Sequence, residues 1–263
     1  EMLRSLVGSE MCIRDSIKSE NYRLLHSKSI YLYTIICATL IILAAFTLVY
    51  FDKTTFKFPY ANLKFFLVNV VSSGLFIIAI GSAMNLIVNN KENKNIVKQS
   101  ISFDISLDTI YYGKFIIFLF YFFILCLICT IVSILFGSLL FEKDYKTLNN
   151  FIISLINMSP LIFGALALSH LLNSLKINGA FSVLLTIFIY YYGGGLLELL
   201  KFINKKWIIL YNYSPTKFFE KIFQEYATDT SVIHLECWMV GIGLGVVFLI
   251  IGNLIIKKTR YLN

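Results

Sequence analysis

Charged residues are scarce in this chain. They make up 14% of its 263 residues, whereas hydrophobic residues make up 58%. A soluble domain contains about 25% charged residues, so the composition excludes an ordinary soluble fold. The long apolar runs have no polar face to present to water, and they lack the alternating pattern of membrane barrel strands. The sequence therefore predicts an all-α membrane protein.

Motifs for catalysis are also missing. The sequence contains no GxxxxGK[ST] phosphate loop, no HExxH zinc motif and no GxSxG nucleophile motif. Cys126 and Cys129 are closely spaced, but they lie among Phe, Ile and Leu and are interpreted as packing residues. His170 is interpreted as a residue at the end of a helix. No basic run interleaved with aromatic residues indicates nucleic-acid binding, and the net charge of +8 fits lysines near lipid head groups.

The first residues resemble something other than natural protein sequence. The stretch "LVGSEMCIRD" (5–14) resembles a translated sequencing adaptor, so residues 1–16 are interpreted as an assembly scar. The rest of the chain is predicted to form an N-terminal cytoplasmic or interfacial segment (17–29), one membrane domain (30–256) and a short cytoplasmic tail (257–263).

Six apolar runs are long enough to cross a bilayer, which takes about 20 residues for a hydrocarbon core about 30 Å thick. They are residues 30–51, 65–88, 115–141, 151–172, 180–200 and 237–256. Lys and Arg should be enriched on the cytoplasmic side, but eleven lie on one side and ten on the other. The basic "KKTR" that directly follows the last run favours the orientation with both termini in the cytoplasm.

Four polar residues inside the predicted spans are candidates for a translocation path or for helix contacts: Asn69, Ser73, Asn85 and Glu198. An ionisable residue at the bilayer centre costs about 2.5–3.5 kcal/mol on insertion scales. Glu198 is the one acidic residue in a predicted span, and it follows three glycines at 193–195. If these glycines end the helix early, Glu198 is interfacial; otherwise it lines a path or joins two helices.

The long connection at 201–236 is predicted to contain interfacial or re-entrant helices. The segment "PTKFFEKIFQEY" begins with Pro215 at a favourable first helical position. Phe218, Phe219, Ile222 and Phe223 would share one face of this helix. Its lysines and glutamates would be costly in hydrocarbon, so the segment is not counted as a seventh span.

The stretch "NNKENKNIVKQSISFDISLDTIYYGK" (89–114) is a polar interruption between two apolar runs. Its apolar residues recur close to a helical period, which predicts a short amphipathic helix. On pattern alone this helix could simply join two spans.

The chain resembles the permeases of bacterial ATP-binding cassette exporters, in the type 2 permease family that includes lantibiotic and bacitracin immunity transporters. The resemblance covers most of residues 20–263 and rests on the six spans, the polar second loop and the long connection before the last span. Asp104 and Leu107 depart from the family pattern, in which proline and arginine are common. The matching residues of the loop are Glu92, Asn95, Ile96, Lys98, Ser106, Ile110, Gly113 and Lys114.

The resemblance implies a cytoplasmic coupling helix between spans 2 and 3 that docks on a separate ATPase subunit. ATP and Mg would then be bound by that partner, and this chain would carry no catalytic group, cofactor or metal. It would lie in the bacterial plasma membrane and pair with itself or with a second permease to export a peptide antibiotic or another amphipathic compound. The residues expected on the coupling helix are Glu92, Lys94, Asn95, Ile96, Lys98, Ile101, Phe103, Asp104 and Ile105.

Two other functions stay open at this point. The chain could be the six-span substrate-binding module of an energy-coupled importer, which predicts tight solute binding by the isolated chain. It could also be an intramembrane enzyme, which predicts that activity depends on Glu198 or His170.

Overall fold

The computed structural model describes residues 18, 19, 21–56, 58–89, 106–175 and 177–261, and this part of the chain is helical without β-strands. The α-helices, in chain order, are α1 (Lys28–Thr54), α2 (Leu63–Ser72), α3 (Gly74–Val88), α4 (Leu107–Leu140), α5 (Tyr145–Ser174), α6 (Gly179–Ile187), α7 (Gly193–Leu199), α8 (Ile208–Asn212), α9 (Pro215–Ala227) and α10 (Leu235–Tyr261). A π-helical segment (Phe188–Tyr192) joins α6 to α7, and two short 3₁₀ turns lie between α7 and α8.

Several of these helices are long and apolar enough to cross a membrane. Within the described residues they are Lys28–Thr54, Leu107–Leu140, Tyr145–Ser174, Gly179–Leu199 and Leu235–Lys258, and the pair α2–α3 makes a sixth crossing if it is one bent span. The prediction of an all-α chain with several candidate membrane-spanning helices is therefore confirmed, and the count of six spans stays a prediction. Exposed Leu, Ile and Phe side chains on several of these helices, such as Phe123 on α4 (62% exposed), are typical of helices that pack against lipid.

The second predicted span is not one straight helix. It breaks at Ser73, and α2 and α3 are bent by 49°. The hydroxyls of Ser72 and Ser73 donate to the backbone carbonyls of Asn69 and Val70 at 3.0 and 2.6 Å. A Ser-Ser-Gly sequence is a common cause of a sharp kink, because the hydroxyls compete for carbonyls that the helix would otherwise use.

The centre of the bundle is α5, whose most apolar 18-residue window is 67% buried, against 28% or less for the other single spans. Helix α10 lies so close to α5 that a Cβ on Gly241 would overlap the backbone carbonyl of Pro160. Pro160 has no N–H to donate to the Ile156 carbonyl. Ser159 Oγ donates to that carbonyl instead, at 2.8 Å, so α5 continues through its proline with this acceptor satisfied.

Two ends of the bundle are defined by contacts between distant parts of the chain. At the first, Arg23 donates to the Val88 carbonyl at 3.2 Å and Lys257 pairs with Asp108 at 2.8 Å; we call it the His170 end. At the second, Lys64 pairs with Asp229 at 2.6 Å; we call it the His234 end. The segment before α1, the end of α3, the start of α4 and the end of α10 therefore all lie at the His170 end.

The start of α4 and the buried face of α9 differ from the predictions. Helix α4 begins at Leu107, eight residues before the apolar run, because Ser106 accepts a hydrogen bond from Thr109 N at 3.3 Å and caps it. Helix α9 begins at Pro215, as predicted. Its buried face differs from the expectation, because Phe223 is 40% exposed and Tyr226 is fully buried in its place.

Candidate functional site

A buried polar cluster at the His170 end joins three helices. His170 on α5 is 1% exposed. Its Nε2 donates to the backbone carbonyl of Tyr111 on α4 at 3.2 Å, since a carbonyl can only accept. Its Nδ1 lies 3.2 Å from Asn85 Oδ1 and 3.4 Å from Asn89 Nδ2, both at the end of α3. Asn89 Nδ2 also donates to Asn85 Oδ1 at 2.9 Å.

Aromatic rings close the cluster, and an ion pair lies beside it. The rings of Tyr111 and Phe115 lie 4.6 and 5.2 Å from the His170 ring, centroid to centroid. One turn before Tyr111, Asp108 accepts from Lys257 of α10 at 2.8 Å, with both side chains 42% exposed. This pair fixes the start of α4 to the end of α10, so the ends of α3, α4, α5 and α10 are connected by side-chain contacts.

The cluster lies at both flanks of the segment for which the sequence predicts the coupling helix. Asn89 ends α3 immediately before residues 90–105, and Ser106 caps α4 immediately after them. The nine predicted coupling-helix residues themselves lie outside the described residues: Glu92, Lys94, Asn95, Ile96, Lys98, Ile101, Phe103, Asp104 and Ile105. What the structure describes is how the two ends of that segment are held.

The four polar residues predicted inside the spans do not come together. Asn85 is fully buried and belongs to the His170 cluster. Asn69 is exposed and donates to the Phe65 carbonyl of its own helix at 2.7 Å. Ser73 is the residue at which α2 and α3 bend.

Glu198 lies apart from His170. It is half-buried and one residue from the end of α7, after the glycines that open that helix. The span Gly179–Leu199 has 21 residues, so about 30 Å of helix separates Glu198 from the turn that follows α5. The two residues named for an enzymatic function therefore do not share a site.

A second set of polar contacts, at the His234 end, was missed by the sequence reasoning. Asn150, Ser154 and Asn157 lie along one stripe of α5 and hold the connector between α9 and α10. Asn157 donates to the Val232 carbonyl at 2.7 Å and accepts from His234 N at 3.0 Å. Ser154 Oγ lies 3.3 Å from Ser231 Oγ. The spacing of three and four residues between polar side chains in an apolar run is the signal that could have found this stripe.

The connector continues into a charged group on α9. His234 Nε2 lies 2.7 Å from Glu225 Oε1, and His234 Nδ1 lies 3.3 Å from Lys221 Nζ. Asp229 adopts a positive φ of 56° and accepts from Lys64 at 2.6 Å and from Asn150 at 3.5 Å. Burial raises the pKa of Tyr226, whose hydroxyl donates to the Lys64 carbonyl. This end is thus fastened mainly by α5 and α9.

Helix α9 supports the π-helical segment, which in turn contacts the bend between α2 and α3. Thr216 Oγ1 accepts from Gly194 N at 3.0 Å and donates to the Tyr190 carbonyl at 3.1 Å, so it bridges the π-helical segment and α7. Tyr191 OH donates to the Ser72 carbonyl at 3.2 Å, beside the bend between α2 and α3. The bend between α2 and α3 is therefore in contact with the π-helical segment, and α9 holds that segment through Thr216.

Comparison with known proteins does not add a family. No family model matches the chain, and no curated protein matches it either. Among the described residues, no group of three His, Cys, Asp or Glu side chains is arranged to hold a metal ion.

Proposed function

We propose that this chain is the permease subunit of an ATP-binding cassette transporter in a bacterial plasma membrane, with both termini in the cytoplasm. It works with cytosolic ATPase subunits, which bind ATP and Mg, and with a second permease copy or homologue. It exports a peptide antibiotic or another amphipathic compound. The resemblance of residues 92–114 and the arrangement of the apolar helices support this proposal.

The observation that carries the proposal is the way both flanks of residues 90–105 are fastened. Asn89 is bonded to the His170 cluster, and Asp108 is paired with Lys257. A partner that moved residues 90–105 would therefore displace α3, α4, α5 and α10 together.

The coupling helix is then the surface that an ATPase recognises. Ile96, Ile101 and Ile105 would enter a hydrophobic groove of the ATPase, and charged residues such as Lys98 and Asp104 would set the orientation at its rim. Closure of two ATPase subunits on ATP would move this helix and tilt the spans attached to it.

Co-purification tests this proposal. The wild-type chain, extracted from its host membrane in mild detergent, should carry a cassette ATPase that mass spectrometry identifies. The double variant Ile96→Asp/Ile101→Asp should lose it, because two buried carboxylates are not tolerated in an apolar groove. Ile233→Asp makes the same substitution at a residue that is 59% exposed at the His234 end, and this control should keep the ATPase. Absence of any ATPase from the wild-type preparation, or its retention by the double variant, would overturn the proposal.

A further inference from the structure

A cleft at the His234 end has no part in the proposed function. It has a volume of about 800 Å³ and lies between the end of α1, the start of α2, the end of α4 and the start of α5. Leu63, Leu139, Leu140 and Phe141 give it an apolar floor. A pocket of this size is within the range that holds a small organic molecule or one segment of a peptide.

The charges that line the cleft are opposite in sign to the charge of the chain. The whole protein has a net charge of +8, yet the cleft is lined by four carboxylates and two lysines. Lys64 is already paired with Asp229 at 2.6 Å. Among the lining residues the remaining negative charge belongs to Asp52, Glu142 and Asp144, against Lys53. Lys146, outside the lining, also acts on Asp144 and helps to lower the pKa of its carboxyl. Partly enclosed walls of one sign concentrate ligands of the other sign.

Two of the carboxylates are held in fixed positions by buried side chains. Asp144 accepts from Thr147 Oγ1 at 2.5 Å and from Lys146 N at 2.9 Å, and Thr147 is 2% exposed. These hydrogen bonds, led by that of Thr147, hold the pKa of Asp144 below its usual range. Asn150, which is 5% exposed, donates to Asp229. Asp144 and Asp229 are therefore fixed in place, whereas Asp52 and Glu142 of the same cleft have exposed side chains.

An aromatic row lies in the same segments of the chain as part of the cleft lining. It runs through Phe51, Phe58, Tyr60 and Phe65, with centroids 5.9, 5.6 and 4.7 Å apart in that order. These residues alternate in sequence with the lining residues Asp52, Ala61 and Leu63. Tyrosine, here Tyr60, is enriched at the level of the lipid head groups, and the faces of all four rings attract cations as well as apolar groups.

We infer from the cleft, its carboxylates and the aromatic row that this is a binding site for a cationic amphiphile. The ammonium or guanidinium group of the ligand lies against Asp52 and Glu142, and its apolar body lies along the floor and the aromatic row. Binding here is a property of this chain alone. That the bound compound is also the transported one rests on the proposed function.

Matched amphiphiles test the site. Dodecylammonium and dodecyl sulfate share a chain of twelve carbons and differ in the sign of the head group. Binding of each to the wild-type protein in nanodiscs is measured by calorimetric titration at submicellar concentration, with empty nanodiscs subtracted to remove partition into lipid. We expect saturable binding of dodecylammonium and no saturable binding of dodecyl sulfate.

Variants separate the cleft from the rest of the surface. Asp52→Asn/Glu142→Gln should weaken dodecylammonium binding about tenfold, whereas Glu220→Gln, an exposed carboxylate on α9, should leave it unchanged. Lys53→Gln should strengthen it. Equal binding of both amphiphiles, or unchanged binding by the double variant, would mean partition into lipid only and would overturn the inference. Neither result bears on ATPase co-purification, so the site and the proposed function fail independently.

Discussion

Polar side chains inside this bundle differ in whether they bond to another helix or to their own. Asn85 and Asn69 lie in the same bent span, yet Asn85 contacts His170 of α5 while Asn69 donates only to Phe65 of its own helix. A polar group buried without a hydrogen-bond partner lowers the free energy of unfolding. A mutation that removes one partner of a buried hydrogen bond therefore destabilises the protein through the group that is left. The two asparagines should therefore respond differently to the same substitution.

Asn85→Ala should lower the free energy of unfolding by about 1–3 kcal/mol, because it removes a fully buried side-chain oxygen that accepts from Asn89 at 2.9 Å and lies 3.2 Å from His170 Nδ1. Asn69→Ala should change it by less than about 0.5 kcal/mol, as an exposed substitution does. Equilibrium unfolding in mixed micelles of mild detergent and dodecyl sulfate measures both. Equal losses in the two variants would contradict the assignment of Asn85 to a shared cluster.

Prediction of single residues from the sequence succeeded where a polar residue interrupts an apolar run. A polar Asn85 in an apolar run was recognisable as a helix contact, and the structure gives it one. His170 was recognisable as lying near a helix end, but its burial was not, because burial depends on the packing of α3, α4 and α5 around it. The stripe Asn150, Ser154 and Asn157 followed a helical period and was accessible to the same reasoning.

Among the helix contacts, the seam between α5 and α10 is the closest. At Gly241 a Cβ would overlap the carbonyl carbon and oxygen of Pro160, and backbone atoms cannot turn aside as a side chain can. Two residues further along, Gly243 has no atom of the described structure within 4 Å of such a Cβ. Small residues that let two backbones approach are a common means of association in lipid, where the hydrophobic effect does not drive helices together.

Gly241→Ala should therefore destabilise the protein by about 1–3 kcal/mol, since α5 and α10 must move apart to admit one methyl group. Gly243→Ala should be neutral or slightly stabilising, because alanine is the better helix former by about 1 kcal/mol in an exposed position. Thermal unfolding of the two variants, followed by aggregation of the detergent-solubilised protein, compares them directly. A Gly241→Ala variant as stable as the wild type would contradict the close approach of α10 to the Pro160 backbone.

Element-level prediction was limited by breaks in the helices. Hydropathy located each apolar run to within a few residues, because a span needs a minimum apolar length. It did not reveal the bend at Ser73 or the π-helical segment Phe188–Tyr192. The π-helical segment depends on contacts from elsewhere in the chain, because Thr216 bridges Tyr190 and Gly194. The bend has a local signal in Ser72, Ser73 and Gly74 that hydropathy does not register. The extension of α4 back to Leu107 likewise depends on a cap rather than on hydropathy.

For the whole molecule, the number of crossings depends on the bent pair α2–α3. If the pair is one span, the chain crosses the membrane six times, and the segments before α2 and after α3 lie on opposite sides. If the pair is re-entrant, the chain crosses five times, and both segments lie on the same side. The contact of Arg23 with Val88 at 3.2 Å favours the first arrangement, because it brings the segment before α1 to the end of α3. The Lys64–Asp229 pair places the start of α2 at the opposite end.

Labelling with a membrane-impermeant maleimide distinguishes the two arrangements. Single cysteines at Ser27→Cys and Asn178→Cys are introduced after replacement of the native cysteines, together with Thr230→Cys as the residue of the opposite end. Six crossings place Ser27 and Asn178 on one side, because four crossings lie between them, and Thr230 on the other. A re-entrant α2–α3 leaves three crossings between Ser27 and Asn178, which would then label from opposite sides. That outcome would also place residues 90–105 on the side opposite the N-terminal segment, which contradicts the proposed orientation with both termini and these residues in the cytoplasm.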